Sequence, residues 1–192
     1  MTSATPFPTF DHEFWAFLNE IEEHNDRAVV ILSAAQLDLM LRQLLESALL
    51  PSPTSDDELF DGERPLSSLS AKITLAYRLG LIDAALAKAL HLVRKIRNAF
   101  AHEAIGCTLE SGAHRERIRE LVAPFRSIEG FDLLVGDGVA GKSQPKNEFR
   151  MAVAFMVVVL RHAPSRLRRT TQVETITLVP DVLKRYRIER PK

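Results

Sequence analysis

From Asp26 to Leu50 the chain runs through helix-forming and apolar residues almost without a break, and Pro51 and Pro53 close the stretch. Proline has no N–H to continue the ladder and its ring clashes with the preceding turn, so a helix beginning near Asp26 ends there. Its polar positions Ser33, Gln36, Gln43 and Ser47 make only a narrow stripe. A helix apolar over the rest of its circumference is packed on nearly all sides. It must be the central helix of a bundle or half of a dimer seam. With 192 residues, 46% of them hydrophobic, the chain can supply the helices that surround it. The longest uninterrupted apolar run, Met151 to Leu160, is half a membrane span. It reads as a buried helix, and no membrane partner is expected.

Helical spacing recurs along the chain. Residues 1–10 hold two prolines and read as a flexible lead-in, after which Asp11 caps a helix carrying Phe14, Phe17, Leu18 and Ile21. Residues 51–64 are a polar connection. A helix through Ala71, Ile73, Ala76 and Tyr77 follows, with Gly80 as its left-handed stop. Asp83 caps the next, which carries Leu86, Leu90, Val93, Ile96 and Phe100, and a shorter helix is expected over 114–125. The expected layout is a helical core domain over 11–128, a glycine-rich loop over 129–147 with a short strand at Leu133-Leu134-Val135, and a packed helix over 148–163 stopped by Pro164. A basic arm over 164–192 ends the chain, in which 175–179 either pairs as a second short strand or lies extended with the arm. The fold class is all-α, a bundle of about five to seven helices.

Charge and cysteine usage narrow the function classes. Formal charge is zero overall, yet residues 161–192 carry nine Lys/Arg against three Asp/Glu, a net +6 balanced by −6 elsewhere. That arm is a candidate contact for RNA, DNA or an acidic protein, although a solvated tail is the commoner meaning of such charge. Cys107 is the only cysteine, so no intrachain disulfide forms, a cysteine-rich zinc site is excluded and a reducing, cytoplasmic setting is expected. The six histidines show no i, i+4 pair, so neither metal nor cofactor is expected. Gly136-Asp137-Gly138-Val139-Ala140-Gly141-Lys142-Ser143 fits the spacing of a phosphate-binding loop, but Gln144-Pro145 interrupts the helix that loop requires. It reads as an incidental glycine-rich loop.

The most informative stretch is Arg97-Asn98-Ala99-Phe100-Ala101-His102, at the end of the helix opened by Asp83. Asn98 and His102 are four apart and share a face. Arg97 and His102 are five apart, about 140° around an ideal helix, so they act together only through a distorted helix end or across a symmetry mate. Such a trio suits metal-independent RNA cleavage: the imidazole moves the 2′-hydroxyl proton, the guanidinium neutralises charge on the phosphate, and the amide holds either. The structural alternative has His102 closing the helix end on a carbonyl and Arg97 favoured there by the helix dipole. Asp38, among Leu37, Leu39, Met40 and Leu41, is expected to point inward and therefore to need a cation, with Arg42, Arg27, Lys72 and Arg97 as candidates. It is either a buried ion pair or an acidic support for the Arg97–His102 site. Tyr77 is expected in the core with a satisfied hydroxyl.

Arg97-Asn98 followed by three residues and His102 resembles the motif of the HEPN superfamily of helical bundles. A wider pattern, covering about residues 20–125, is similar to the mannitol operon repressor (MltR) family. It runs through Asp26-Arg27, Leu37-Asp38, Leu59-Phe60-Asp61-Gly62, Pro65 to Ile73, Ala76 to Ile82 and Ile96 to His102. The MltR resemblance implies an all-helical regulator or co-regulator of transcription that acts through protein contacts, without a DNA-reading motif. The HEPN resemblance implies the alternative, a metal-independent endoribonuclease, as toxin or defence effector, using Arg97, Asn98 and His102 across a dimer. A homodimer is the expected assembly, with a protein partner, RNA or, through the basic arm, DNA as candidate partners.

Overall fold

The computed structural model describes residues 12–52, 57–103, 106–128, 131, 135 and 144–166. Its described residues form α1 (His12–Glu22), α2 (Asp26–Ala48), α3 (Leu69–Arg78), α4 (Ala84–His102), α5 (Gly112–Val122), a 3-10 turn at Phe125–Ser127 and α6 (Gln144–Arg166), with no strand among them. Among the described residues the fold is all-α, a bundle in which these six helices are delimited. α2 lies at its centre, packed on α6 on one side and on α3 and α4 on the other; α1 joins α2 and α6, and α5 bridges α4 to α6. By length and composition α2 could cross a membrane, but half of that apolar stretch is buried within the bundle. Leu37, Leu41, Leu44 and Leu45 of α2 meet Ile73, Leu90, Ile96, Phe100, Phe149 and Met156 in one continuous core.

Local sequence signals set the helix ends. The Asn25 side chain accepts from Ala28 N–H at 2.9 Å, Ser68 from Ala71 at 3.1 Å and Asp83 from Leu86 at 2.8 Å. Each satisfies one of the free donors of a first turn. Gly80 sits at φ 70°, with its N–H on Tyr77 O (2.9 Å) and the Leu81 N–H on Ala76 O (2.9 Å). That pairing closes α3 through a left-handed residue, as its glycine predicts.

Several expectations need correction. Ser33, placed on a polar stripe, is fully buried, while Leu32 and Leu39 are 37% and 46% exposed. The open strip of α2 runs through Leu32, Ala35, Leu39 and Gln43, rotated away from Ser33 because α3, α4 and α6 together decide which face is covered. Tyr77, expected in the core, is exposed. The last helix begins at Gln144, with Pro145 in its first turn, where the missing N–H would have no partner in any case. It also continues through Pro164 to Arg166, the proline forfeiting only one bond in the final turns. Phe131 and Val135, placed in a loop with a strand, are helical and buried. The valine run at 157–159 is helical as expected, burial of Val157 outweighing β-branched propensity. The lead-in at 1–10, Asp11, the phosphate-loop-like residues 136–143 and the arm beyond 166 lie outside the described residues.

Candidate functional site

α4 remains regular α-helix through His102, so no distortion brings Arg97 and His102 together. Arg97 is exposed and Asn98 half-buried, and Arg97 Nη1 donates to Asn98 Oδ1 at 3.2 Å. Both line a groove of about 530 Å³ between α2, α4 and the start of α3. Asp38, Arg94 and Ser68 share it, over an apolar wall of Ile31, Ala34 and Ala35. His102 is exposed and does not line this groove. The geometry therefore brings together Arg97, Asn98 and Asp38 and leaves His102 about one turn further along the helix.

The carboxylate of Asp38 is bound rather than free. Lys72 Nζ donates to both of its oxygens at 2.8 Å and to the Ser67 carbonyl at 3.3 Å. The expected cation is present, but burial is divided differently from expectation: the Lys72 side chain is 4% exposed and that of Asp38 is 35% exposed. Asp38 lies at the edge of the covered face of α2, while Lys72 enters from α3 beneath it. With its charge matched, the groove presents Arg94, Arg97 and the Asn98 amide to solvent. That set suits a carboxylate or a polar backbone. Arg94 was not legible in the sequence as a site residue, since one more arginine on α4 carries no signal until α3 closes the groove around it.

The end of α4 is closed from a distance. The Arg27 guanidinium, at the start of α2, donates to the carbonyls of Phe100 and Glu103. The lock assigned to His102 thus belongs to Arg27, and among the described residues none hydrogen-bonds the His102 ring. A second cavity, of about 600 Å³, lies on the other side of α4 between α3 and α5. Tyr77, Lys88, His91, Arg94, Lys95 and Glu120 line it. Burial, then the charges of Arg94 and Lys95, hold His91 below its ordinary pKa.

Beyond α4 the chain turns back at Gly106, φ 81°, and sets Cys107 against α5. Cys107 Sγ lies 3.4 Å from His114 Nε2. Burial, and then Glu103 accepting from the thiol, push the Cys107 pKa up to about 11. His114 is lowered by burial first and by Arg117 second. A thiol raised in this way is a poor nucleophile on its own. Sequence spacing missed this cluster, because Glu103, Cys107 and His114 straddle a helix end and a turn.

No protein-family model and no curated protein sequence matches the chain. Among solved structures, a possible transcriptional regulator, YggD, from Shigella flexneri 2a has the same fold at a TM-score of 0.59 and 15% sequence identity, over 77% of this chain and 98% of that one. At that identity the likeness is one of architecture, and the chain shares the all-helical fold of that protein.

Proposed function

We propose that this chain is a regulator of transcription of the MltR type, acting through protein contacts rather than by reading DNA itself. The observation that carries the proposal is the composition of the α2–α4 groove: Arg94, Arg97 and Asn98 beside a neutralised Asp38, along an apolar wall. Polar anchors at the mouth of a groove beside an apolar strip are the anatomy of a protein-binding surface. The sequence resemblance over residues 20–125 and the fold shared with a possible transcriptional regulator point the same way. A homodimer is part of this reading. Leu32, Ala35 and Leu39 form an open apolar strip beside the groove, a surface that a second copy can cover about a two-fold axis.

The HEPN-type ribonuclease is the second reading. Arg97 and His102 are both exposed, so a symmetry mate could complete what one protomer leaves apart. Pure protein incubated with total RNA in EDTA, beside Arg97→Ala and His102→Ala, separates the two. Transcript profiling in a strain lacking the gene, restored with each form, completes the test. The regulatory reading expects intact RNA in vitro, with a transcript set restored by wild type and by His102→Ala but not by Arg97→Ala. EDTA-resistant cleavage lost in both variants would reverse the ranking.

A further inference from the structure

We propose that Glu103, Cys107 and His114 form a binding site for a divalent cation of borderline softness, of the class of Zn²⁺, which clamps the α4–α5 junction. Each of the three side chains offers one donor atom, and all three donors lie within 4.8 Å of one another. Tetrahedral coordination, with a metal–sulfur distance near 2.3 Å and metal–nitrogen near 2.0–2.1 Å, sets ligand atoms about 3.5 Å apart. The 3.4 Å between Cys107 Sγ and His114 Nε2 already meets that spacing. Glu103 is exposed and its carboxylate already accepts from the Cys107 thiol, so it reaches the same point with little movement once the thiol proton is lost. One sulfur, one imidazole nitrogen and one carboxylate oxygen are a donor set for zinc rather than for calcium or magnesium, which take oxygen ligands alone.

The frame around the cluster is built in advance. His114 is 4% exposed, with its ring held against Phe100 at 5.0 Å between centroids. Asp26 at the start of α2 accepts from the Thr108 hydroxyl at 3.0 Å and from the Leu109 N–H at 2.9 Å, fixing the turn that carries Cys107. Arg27 holds the carbonyl of Glu103. Two ligands therefore sit on backbone tied to α2 and the third on a packed helix, an arrangement that lowers the ordering cost of binding. The exposed side of Glu103 leaves a fourth position for water.

Two cations oppose the ion, Arg27 by its charge near Cys107 and Arg117 more directly. Arg117 Nη1 lies 3.4 Å from His114 Nδ1. A cation on Nε2 leaves the proton on Nδ1, which cannot accept from a guanidinium, so Arg117 must turn outward from its half-buried position on α5. The site would hold its ion more tightly without that arginine.

Full-length protein, stripped with a chelator and dialysed, is titrated with Co²⁺ as the probe. One equivalent is expected to give a thiolate-to-cobalt charge-transfer band with the intense visible absorption of tetrahedral Co²⁺, displaced by Zn²⁺. Zn²⁺ should also raise the melting temperature by mass action. Cys107→Ala should abolish the band and the thermal shift. Glu103→Gln, at an exposed position that leaves the fold intact, should weaken binding by about tenfold or more, on the scale of metal-site substitutions. Arg117→Ala should tighten it. Folded wild type that gives no charge-transfer band, or a Cys107→Ala protein that keeps wild-type affinity and spectrum, would overturn the assignment.

Discussion

Lys72 holds both carboxylate oxygens of Asp38 at 2.8 Å, and of the two it is the lysine that is buried. The pair fastens the start of α3 to the middle of α2 at the floor of the candidate groove. Its asymmetry decides which half matters more for stability. Asp38→Ala strands an ammonium whose other partner is the Ser67 carbonyl. Removing one side of a fully buried pair costs about 3–5 kcal/mol, and the solvent reaching Asp38 reduces this to roughly 1–3 kcal/mol. Lys72→Met replaces the buried charge with an apolar chain of similar length and leaves a carboxylate that water can solvate, so it should cost about 1 kcal/mol or less. Urea denaturation of both variants checks the order; a Lys72→Met protein less stable than Asp38→Ala would refute it.

At the end of α4 the closing role that the sequence offered to His102 falls to Arg27. Arg27 donates to two terminal carbonyls of α4, while the exposed His102 ring has no hydrogen-bond partner among the described residues. Arg27→Ala should lower stability by about 1.5–3 kcal/mol, the scale of hydrogen bonds from charged donors. Hydrogen exchange should show fraying over residues 99–103. His102→Ala should remain within about 0.5 kcal/mol of wild type, as for surface substitutions away from special features. A large loss of stability in His102→Ala would restore the structural lock and weaken any claim that the histidine is held ready for a partner or substrate.

What was legible in the chain, and what was not, follows from the range of the forces involved. The α3–α4 junction could be read directly: Gly80 stops one helix and Asp83 opens the next through bonds spanning only a few residues. Lys72 stood among the candidate partners of Asp38 because a carboxylate in an apolar run requires a cation. Which of the two is buried depended on where α3 leans, and no pattern within α2 contains that. The same holds for Ser33. A face assigned from composition goes wrong when three neighbouring helices, not polarity, decide which side is covered. Arg27 capping a helix end 73 residues away, and Cys107 meeting His114 across a turn, are tertiary facts with no sequence periodicity to announce them.

His91 gives the fold an acid-sensitive term. Its pKa is lowered, first by burial and then by Arg94 and Lys95, with Lys88, Tyr77 and Glu120 lining the same cavity. The unfolded chain takes up a proton near the reference value of about 6.5, and the folded protein resists it until the pH is lower. Between those two values the unfolded state binds more protons, so stability falls as the pH drops below about 7 and levels off beneath the folded pKa. Denaturation midpoints at pH 7.5 and pH 5.5 should therefore decline more in wild type than in His91→Gln. Equal declines would show that this ring contributes nothing to acid sensitivity.

The assembly prediction rests on the open strip of α2. Leu39 is 46% exposed and Leu32 37% exposed on the central helix of the bundle. Apolar side chains in that position expose surface that a second copy can cover, each of these half-covered leucines contributing roughly 0.5–1.5 kcal/mol. Sedimentation of wild type at tens of micromolar, a range in which even modest association is populated, should show a dimer. Leu39→Glu places a charge at the centre of that interface, where desolvating it without a partner costs several kcal/mol. It should shift the protein to monomer while leaving the monomer folded, because the side chain meets solvent rather than the core. The Arg97–Asp38 groove borders the strip, so the same substitution should also abolish any RNA cleavage that depends on two copies. A monomeric wild type, or a Leu39→Glu protein that remains dimeric, would move the interface elsewhere and leave the strip as a contact surface for a different protein.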